Sequence, residues 1–161
     1  MVECNVTGTP SLVQPLGTDA NGLKHHKPWD YASAVGMLMY LAGNAYPEIQ
    51  YAVHQCARFT HAPRHSHAEA VKRIARYLQG VLKEEQGLQF TLSDNFNLDL
   101  YVDADFGGLW TYEDDQDPVC VKLRIGCVVI LEDCPIGFAS KLQQEEALFF
   151  LESDALPWPQ P

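Results

Sequence analysis

The sequence predicts an α+β fold in which a short helical bundle is followed by a sheet. Apolar residues recur at helical spacing across residues 30–80, and they alternate with polar residues at strand spacing after Gly87. Hydrophobic residues make up 47% of the chain and charged residues 20%, a balance typical of globular proteins and unlike disordered chains. We therefore divide the chain into an extended lead-in (residues 1–28), a helical segment (29–86) and a sheet-forming segment (87–161).

The first two predicted helices have local start and stop signals. Asp30 is suited to cap the first helix, and Gly43 is suited to end it. Pro47 fits the first turn of the second helix, which should run to about Phe59. The residues expected to be buried on these helices are Val35, Leu38, Met39 and Ala42, and then Ile49, Ala52, Val53 and Cys56.

The third helix is predicted from the spacing of Ser66 and Glu69, which is that of a capping box. Gly80 is expected to end it. Its buried face should contain Val71, Ile74, Ala75 and Leu78. Three helices joined by loops this short favour antiparallel or angled packing.

Strands are predicted after the helical segment. The first covers residues 97–103 and ends with the carboxylate of Asp103. A second strand over residues 127–131 and a third over 136–140 follow, and a helix is predicted over residues 145–155. The residues of the first strand expected to face the interior are Leu98, Leu100 and Val102.

The net charge of -10 is divided unevenly along the chain. Residues 1–52 carry -2, residues 53–90 carry +3 and residues 91–161 carry -11. A positive segment can contact phosphates whatever the total charge. The candidate nucleic-acid-binding residues in it are Arg58, Lys72, Arg73 and Arg76. A solvated helix face explains the same residues, so both interpretations stay open.

Several classes of protein are not indicated. No apolar run approaches the ~20 residues of a membrane span, and the N-terminal sequence lacks the pattern of a signal peptide, so we expect an intracellular protein of the cytoplasm or nucleus, without a membrane partner. The five cysteines form no CxxC pair, which favours reduced thiols. His61, His65 and His67 lie near Cys56 in the sequence, but burial of Cys56 on its helix explains that cysteine better than a zinc site.

The acidic residues with the clearest chemical pattern are Asp103 and Asp105 at the end of a strand and Glu152 and Asp154 on the last predicted helix. Phosphodiester hydrolysis with two metal ions requires several converging carboxylates. Solvated or capping carboxylates are the alternative interpretation. The two helix acids are spaced by two, so at most one of them should point toward Asp103.

Six segments of the sequence follow one another in an order that is typical of a known family. They are WDYASAVGMLMYLA (29–42), YPEIQYAV (46–53), RFTHAPRHSHAEAVKRIARYLQG (58–80), LYVDADFGG (100–108), KLRIGC (122–127) and SKLQ (140–143). Together they resemble the Pol polyprotein of copia-type long-terminal-repeat retrotransposons, from the end of the reverse transcriptase into the start of the ribonuclease H domain. The resemblance implies a thumb-like or connection-like bundle followed by a truncated ribonuclease H-like mixed sheet with one helix.

The resemblance also implies roles for the acidic residues. Asp103 resembles the first metal-binding and catalytic aspartate of that ribonuclease H domain, and Glu152 resembles its helix glutamate; Asp105 and Asp154 occupy further acidic positions. The implied cofactor is Mg²⁺, and the implied partners are an RNA:DNA hybrid or other nucleic acid and the remaining parts of the polyprotein.

The sequence also departs from the family pattern. The next aspartate of the family has no counterpart before the chain ends, so we expect the chain to be inactive alone. Two alternatives remain: a non-catalytic module that binds nucleic acid or protein, and a remnant without a selected role.

Overall fold

The computed structural model contains helices and strands in separate parts of the chain. The residues that it describes are 5–26, 28–84, 88, 97–105, 122 and 124–142, without the side chain of Asp105. The chain divides into two compact units, Met1–Gly87 and Leu88–Pro161, of which the first contains the helices and the second the described strands. The α+β class is therefore confirmed. The helix predicted over residues 145–155 lies outside the described residues.

The first helix, α1 (Tyr31–Asn44), begins where the sequence predicts. The Asp30 carboxylate accepts hydrogen bonds from the backbone N–H groups of Ala32, at 3.0 Å, and Ser33, at 3.4 Å. Its buried residues are Tyr31, Val35, Leu38 and Ala42. The prediction that Met39 is buried was wrong, because this side chain is 45% exposed. The buried residues, which are spaced three or four apart, form a narrow stripe along α1. Met39 lies beside this stripe and is therefore not buried.

A single 3₁₀ turn, Pro47–Ile49, leads into the second helix, α2 (Gln50–Ala57). Its first residue is proline, which has no backbone N–H to leave unpaired. The predicted buried residues of this stretch are confirmed: Ile49, Ala52, Val53 and Cys56 are at most 4% exposed. They form one core with the buried faces of α1 and of the third helix.

The third helix, α3 (His65–Lys83), starts and ends differently from the prediction. The backbone N–H of Arg64 donates to Nδ1 of His67, whereas the Ser66 hydroxyl donates to the Asp19 carboxylate. Ser66 is therefore not the cap. The helix continues past Gly80 because Val81 adds another buried residue to the apolar face. Val71, Ile74 and Leu78 are buried as predicted, but Ala75 is exposed.

The lead-in has no helix or strand among its described residues, apart from one isolated bridge between Lys24 and Arg64. It is nevertheless fixed to the helices. Nε2 of His67 lies 2.7 Å from the Gly17 carbonyl oxygen, and the Arg64 guanidinium donates to the Gly22 carbonyl. Leu16 packs against the helical core. Across the described residues, no helix combines the length and the apolar character needed to cross a membrane.

The second unit contains a sheet of strands β1 (Leu98–Asp105), β2 (Arg124–Leu131) and β3 (Cys134–Leu142), in the order β1-β2-β3. Both pairings are antiparallel, so the mixed sheet that we predicted is antiparallel throughout its described strands. Glu132 and Asp133 form the turn between β2 and β3, with φ of 50° and 64°. Two successive positive φ values match the right-handed twist of a tight hairpin.

The predicted inward face of β1 was wrong. Leu98, Leu100 and Val102 are 63%, 64% and 56% exposed. They stand opposite Leu131, Val129 and Cys127 of β2, so the alternation does place apolar residues on one face. Period-two patterning shows which residues share a face, but it does not show whether another element covers that face.

Candidate functional site

The candidate metal-binding carboxylate, Asp103, lies near the end of β1 and is exposed. The residue opposite it on β2 is Gly126, which has no side chain to cover the carboxylate. The next pair along this face is Tyr101 and Val128. Asp103 is therefore exposed to solvent, and no side chain stands opposite it on β2.

Strand alternation places one further acidic residue, Asp99, on the face that carries Asp103. Asp99 is separated from Asp103 by an even number of residues, and the sequence reasoning did not select it. The backbone of Asp105 stands opposite Arg124. The Asp99 carboxylate accepts a hydrogen bond of 3.0 Å from the Asn97 amide.

The other predicted metal ligands are not placed with Asp103. Glu152, Asp154 and the side chain of Asp105 lie outside the described residues. Within the described ranges, no group of three His, Cys, Asp or Glu residues could hold a metal ion. Of the predicted metal ligands, Asp103 is therefore the one whose side chain the structure describes.

Two of the four predicted basic residues are held by one carboxylate on α3. The Glu69 carboxylate lies 2.7 Å from Nζ of Lys72 and 3.8 Å from the guanidinium of Arg76. The Lys72 hydrogen bond holds the pKa of Glu69 below its usual range. Together with His65, these residues follow helical spacing along α3, and we call His65, Glu69, Lys72 and Arg76 the α3 stripe.

The remaining two basic residues contact the lead-in. The Arg73 guanidinium donates to the carbonyl oxygen of Thr9, at 3.2 Å, and to its hydroxyl, at 2.8 Å. The Arg58 guanidinium donates to the Leu16 carbonyl and to Oε1 of Gln55. Arg58 and Arg73 therefore have structural roles that their sequence positions did not indicate, because their partners in the lead-in are 42 and 64 residues away.

The histidines near Cys56 do not form a metal cluster with it among the described residues. The His67 ring is fully buried and stacks on Phe59, with 4.0 Å between ring centroids. Cys56 is buried in the helical core, and burial raises the pKa of its thiol to about 11. These observations fit the packing interpretation of the sequence.

Comparison with known proteins identifies the relatives of the chain. It is 34% identical over 144 residues to the retrovirus-related Pol polyprotein from transposon RE1 of Arabidopsis thaliana, and 33% identical over 144 residues to that from transposon RE2. These matches cover 89% of the chain. The chain belongs to the Pol polyprotein family of copia-type transposons.

The chain spans 9% of the length of these two Pol relatives. A further relative is nearer to it in size: the secreted RxLR effector protein 161 of Plasmopara viticola is 34% identical over 124 residues, which are 77% of this chain and 80% of the effector. No protein-family model matches the chain, and no solved structure gives a significant match. Membership of the Pol family thus rests on the similarity of the chain to one segment of each of these polyproteins.

Proposed function

We propose that this Pol family chain joins the end of the reverse transcriptase to the start of a ribonuclease H-like domain that hydrolyses RNA in RNA:DNA hybrids. The observation that carries the proposal is the position of Asp103, exposed near the end of β1 and opposite Gly126. The motif around Asp103 supports it, as does the similarity of the chain to Pol polyproteins. Asp103 is the residue that we assign to the reaction.

The chemistry of this site fits a hard divalent cation. Carboxylate oxygens are preferred ligands of Mg²⁺, and glycine opposite Asp103 leaves room for an ion and its water molecules. Asp103 would hold the ion, with Glu152 as a second ligand and Asp105 and Asp154 as further candidates. When bound, Mg²⁺ would help to activate water and to stabilise the leaving oxygen. The protein would contribute the fixed position of the carboxylate on a paired strand.

Metal binding can be tested on the purified chain with Mn²⁺ as a paramagnetic substitute for Mg²⁺. We expect Mn²⁺ to broaden the backbone amide signals of Val102, Asp103 and Gly126 before other signals of the sheet. Asp103→Asn should abolish this broadening, since it removes the charge but preserves the shape of the side chain. Asp99→Asn, on the same face of β1, is the matched control.

The outcome that contradicts the proposal is broadening that persists in Asp103→Asn or that disappears equally in Asp99→Asn. A second measurement addresses the reaction directly. Because the chain alone is expected to be inactive, it should show no EDTA-sensitive cleavage of an RNA:DNA hybrid, and cleavage that also survives in Asp103→Asn would remove Asp103 from the site.

A second candidate function is nucleic-acid binding without catalysis, and the α3 stripe favours it. Among the described residues, Lys72 and Arg76 share one carboxylate, that of Glu69, so the stripe retains positive charge. Cations that line one face of a helix can follow a phosphate backbone. Arg73 and Arg58 would contribute less, because each already donates to the lead-in.

Fluorescence anisotropy with a labelled RNA:DNA duplex tests this candidate. Lys72→Glu combined with Arg76→Glu should weaken binding at low salt and reduce its salt dependence, because fewer counterions would be released. Lys141→Glu, an exposed charge reversal on β3, is the control for net charge. Equal loss of binding in the control, or no binding by the unaltered chain at low salt, would exclude the α3 stripe as the interface.

A further inference from the structure

Residues 6–16 of the lead-in, which we call the strap, lie against α2 and α3. The strap contacts two of the predicted nucleic-acid-binding residues. The Arg73 guanidinium donates to the carbonyl and hydroxyl oxygens of Thr9, and the Arg58 guanidinium donates to the Leu16 carbonyl. The strap therefore occupies donors that a phosphate group could also use.

The oxygen atoms that the strap offers to Arg73 carry no charge. They belong to the carbonyl and the hydroxyl of Thr9, and no carboxylate of the described residues forms an ion pair with this guanidinium. A phosphate can accept two hydrogen bonds from arginine and adds the attraction of opposite charges, which Thr9 cannot supply. A phosphate is therefore the stronger partner for Arg73.

The strap is not tightly packed on the helices. A space of about 20 Å³, room for about one water molecule, remains between the strap and the two helices. Nε2 of Gln55, which lines this space, has no hydrogen-bond partner among the described residues. Leu16 packs against the helical core, whereas Val13 is fully exposed. The Leu16 contact is thus the main apolar attachment of the strap to that core.

The other end of the lead-in is attached through its backbone. Hydrogen bonds of 3.0 Å and 2.8 Å join His25 and Leu23 to residues 63–65 at the start of α3. The strap has no backbone pairing of this kind with the helices among the described residues. A turn at residues 19–22 lies between the two ends. The strap can therefore leave the helices while the backbone bonds at the other end stay intact.

We propose that the strap is a displaceable cover, and that a nucleic-acid phosphate backbone binds Arg58 and Arg73 when the strap leaves them. Arg73 follows Glu69 by four residues and precedes Arg76 by three, so it borders the α3 stripe. Its release would widen the cationic surface of that stripe. The inference rests on the nucleic-acid-binding candidate above, and it adds that the lead-in limits this binding.

A reversible disulfide between the strap and α3 tests whether the strap must move. A Cβ atom added at Gly80 would lie 3.7 Å from the Cβ of Val6, which is within the usual range for a disulfide. We expect the oxidised variant with Val6→Cys and Gly80→Cys to bind a labelled RNA:DNA duplex roughly three- to ten-fold more weakly than the same variant after reduction. Peptide mapping without reductant shows whether this bond has formed.

The salt dependence of binding gives the same test a second readout. If Arg58 and Arg73 contact phosphates only when the strap is released, the slope of log binding constant against log salt should be shallower by about 1 to 2 in the oxidised variant. The unaltered chain under the same oxidising and reducing conditions is the control, and its binding should not change. A fall in binding of the unaltered chain on oxidation, equal to that of the variant, would contradict the inference.

Leu16→Ala tests the opposite direction without a change in charge. Loss of the Leu16 contact should raise the fraction of chains with a released strap and tighten duplex binding roughly three-fold or more. Val13→Ala, in the same strap but at a fully exposed site, is the matched control and should leave binding unchanged. A dispersed amide spectrum would show that each variant folds.

The outcomes separate the strap from the binding surface. Equal binding by the oxidised and reduced forms of the disulfide variant overturns the inference, but leaves nucleic-acid binding by the α3 stripe intact. Equal binding by Leu16→Ala and Val13→Ala also overturns it. If no form binds the duplex at low salt, including Leu16→Ala, the nucleic-acid-binding candidate itself fails and the inference is overturned with it.

Discussion

At the residue scale, the buried contact between Tyr31 and Cys56 makes stability depend on pH. Tyr31 is 3% exposed, and its hydroxyl donates to the Cys56 carbonyl at 2.8 Å. Burial raises the pKa of the Cys56 thiol from 9.0 to about 11, and burial also raises the pKa of Tyr31. The unfolded chain therefore loses these protons at lower pH than the folded chain. The stabilisation is complete below about pH 9 and is lost as the pH rises toward 11.

We therefore predict that the free energy of unfolding falls above pH 9, by roughly 2 kcal/mol between pH 9 and 11. Urea unfolding at pH 8, 9, 10 and 11 measures it. Tyr31→Phe should reduce the fall above pH 10, since one of the two titrating groups is gone. Tyr40→Phe, an exposed tyrosine of the same helix, should retain the full fall. An identical pH dependence in Tyr31→Phe would contradict the assignment.

Residue roles could be predicted from the sequence where the partners are local. Asp30 accepts from N–H groups two and three residues ahead, so its capping role is visible in the sequence. Ser66 has the same local signal, but its hydroxyl bonds to Asp19, 47 residues away. At the start of α3, the ring of His67 instead accepts a hydrogen bond from the Arg64 N–H. A residue distant in the sequence can compete with a local hydrogen-bond partner, and the spacing of nearby residues does not predict which of the two is chosen.

At the element scale, the cap of α1 should contribute measurably to stability. Asp30→Ala removes the acceptor of two backbone N–H groups, which should cost about 1 kcal/mol in the free energy of unfolding. Asp30→Ser should preserve most of the stability, because a hydroxyl can accept the same bonds. Urea unfolding at pH 7 compares the three chains. Equal destabilisation by both substitutions would show that the side chain acts otherwise than as a cap.

The contact between α3 and the lead-in should depend on His67. This ring is fully buried, stacks on Phe59 and lies 2.7 Å from the Gly17 carbonyl oxygen. We predict that His67→Ala destabilises the first unit by about 3 kcal/mol through lost packing and unpaired groups. It should also make the lead-in more accessible to protease.

Limited trypsin digestion measures this accessibility through the rate of cleavage after Lys24, which lies in the lead-in. His65→Ala is the matched control, since His65 belongs to the same helix turn but is largely exposed. Faster cleavage confined to His67→Ala is the expected result. The same rate in both variants would show that the lead-in is fixed mainly by its other contacts.

The helices were predicted more accurately than the sheet, for a physical reason. Buried helical residues such as Val53 and Ile74 were identified because their own helices face one another over short loops. In β1, by contrast, Leu100 shares a face with Val129 but remains 64% exposed. The alternation is a property of the strand, whereas coverage depends on elements elsewhere in the chain. Prediction of the candidate site from the sequence was limited for a similar reason. Its proposed ligands come from segments that are distant in the chain, and sequence spacing does not show whether they meet.

At the scale of the whole molecule, charge and apolar surface are distributed differently in the two units. The first unit contains the basic segment, and its apolar residues are gathered in one helical core. The second contains most of the acidic residues, together with the exposed apolar residues Leu98, Leu100 and Val102 on one face of β1. Among the described strands β1 is at the edge of the sheet. A contiguous apolar face on an edge strand promotes self-association, and the high negative charge opposes it.

This balance predicts that the chain associates as salt screens its negative charge, through the apolar face of β1. Leu100→Thr should raise the salt concentration at which association begins, as measured by sedimentation velocity, and should change the free energy of unfolding by less than about 0.5 kcal/mol. Ile125→Thr, at a site that is 4% exposed on β2, is the control and should destabilise the sheet instead. If Leu100→Thr destabilises the chain as much as Ile125→Thr does, Leu100 belongs to a packed core rather than to an associating surface.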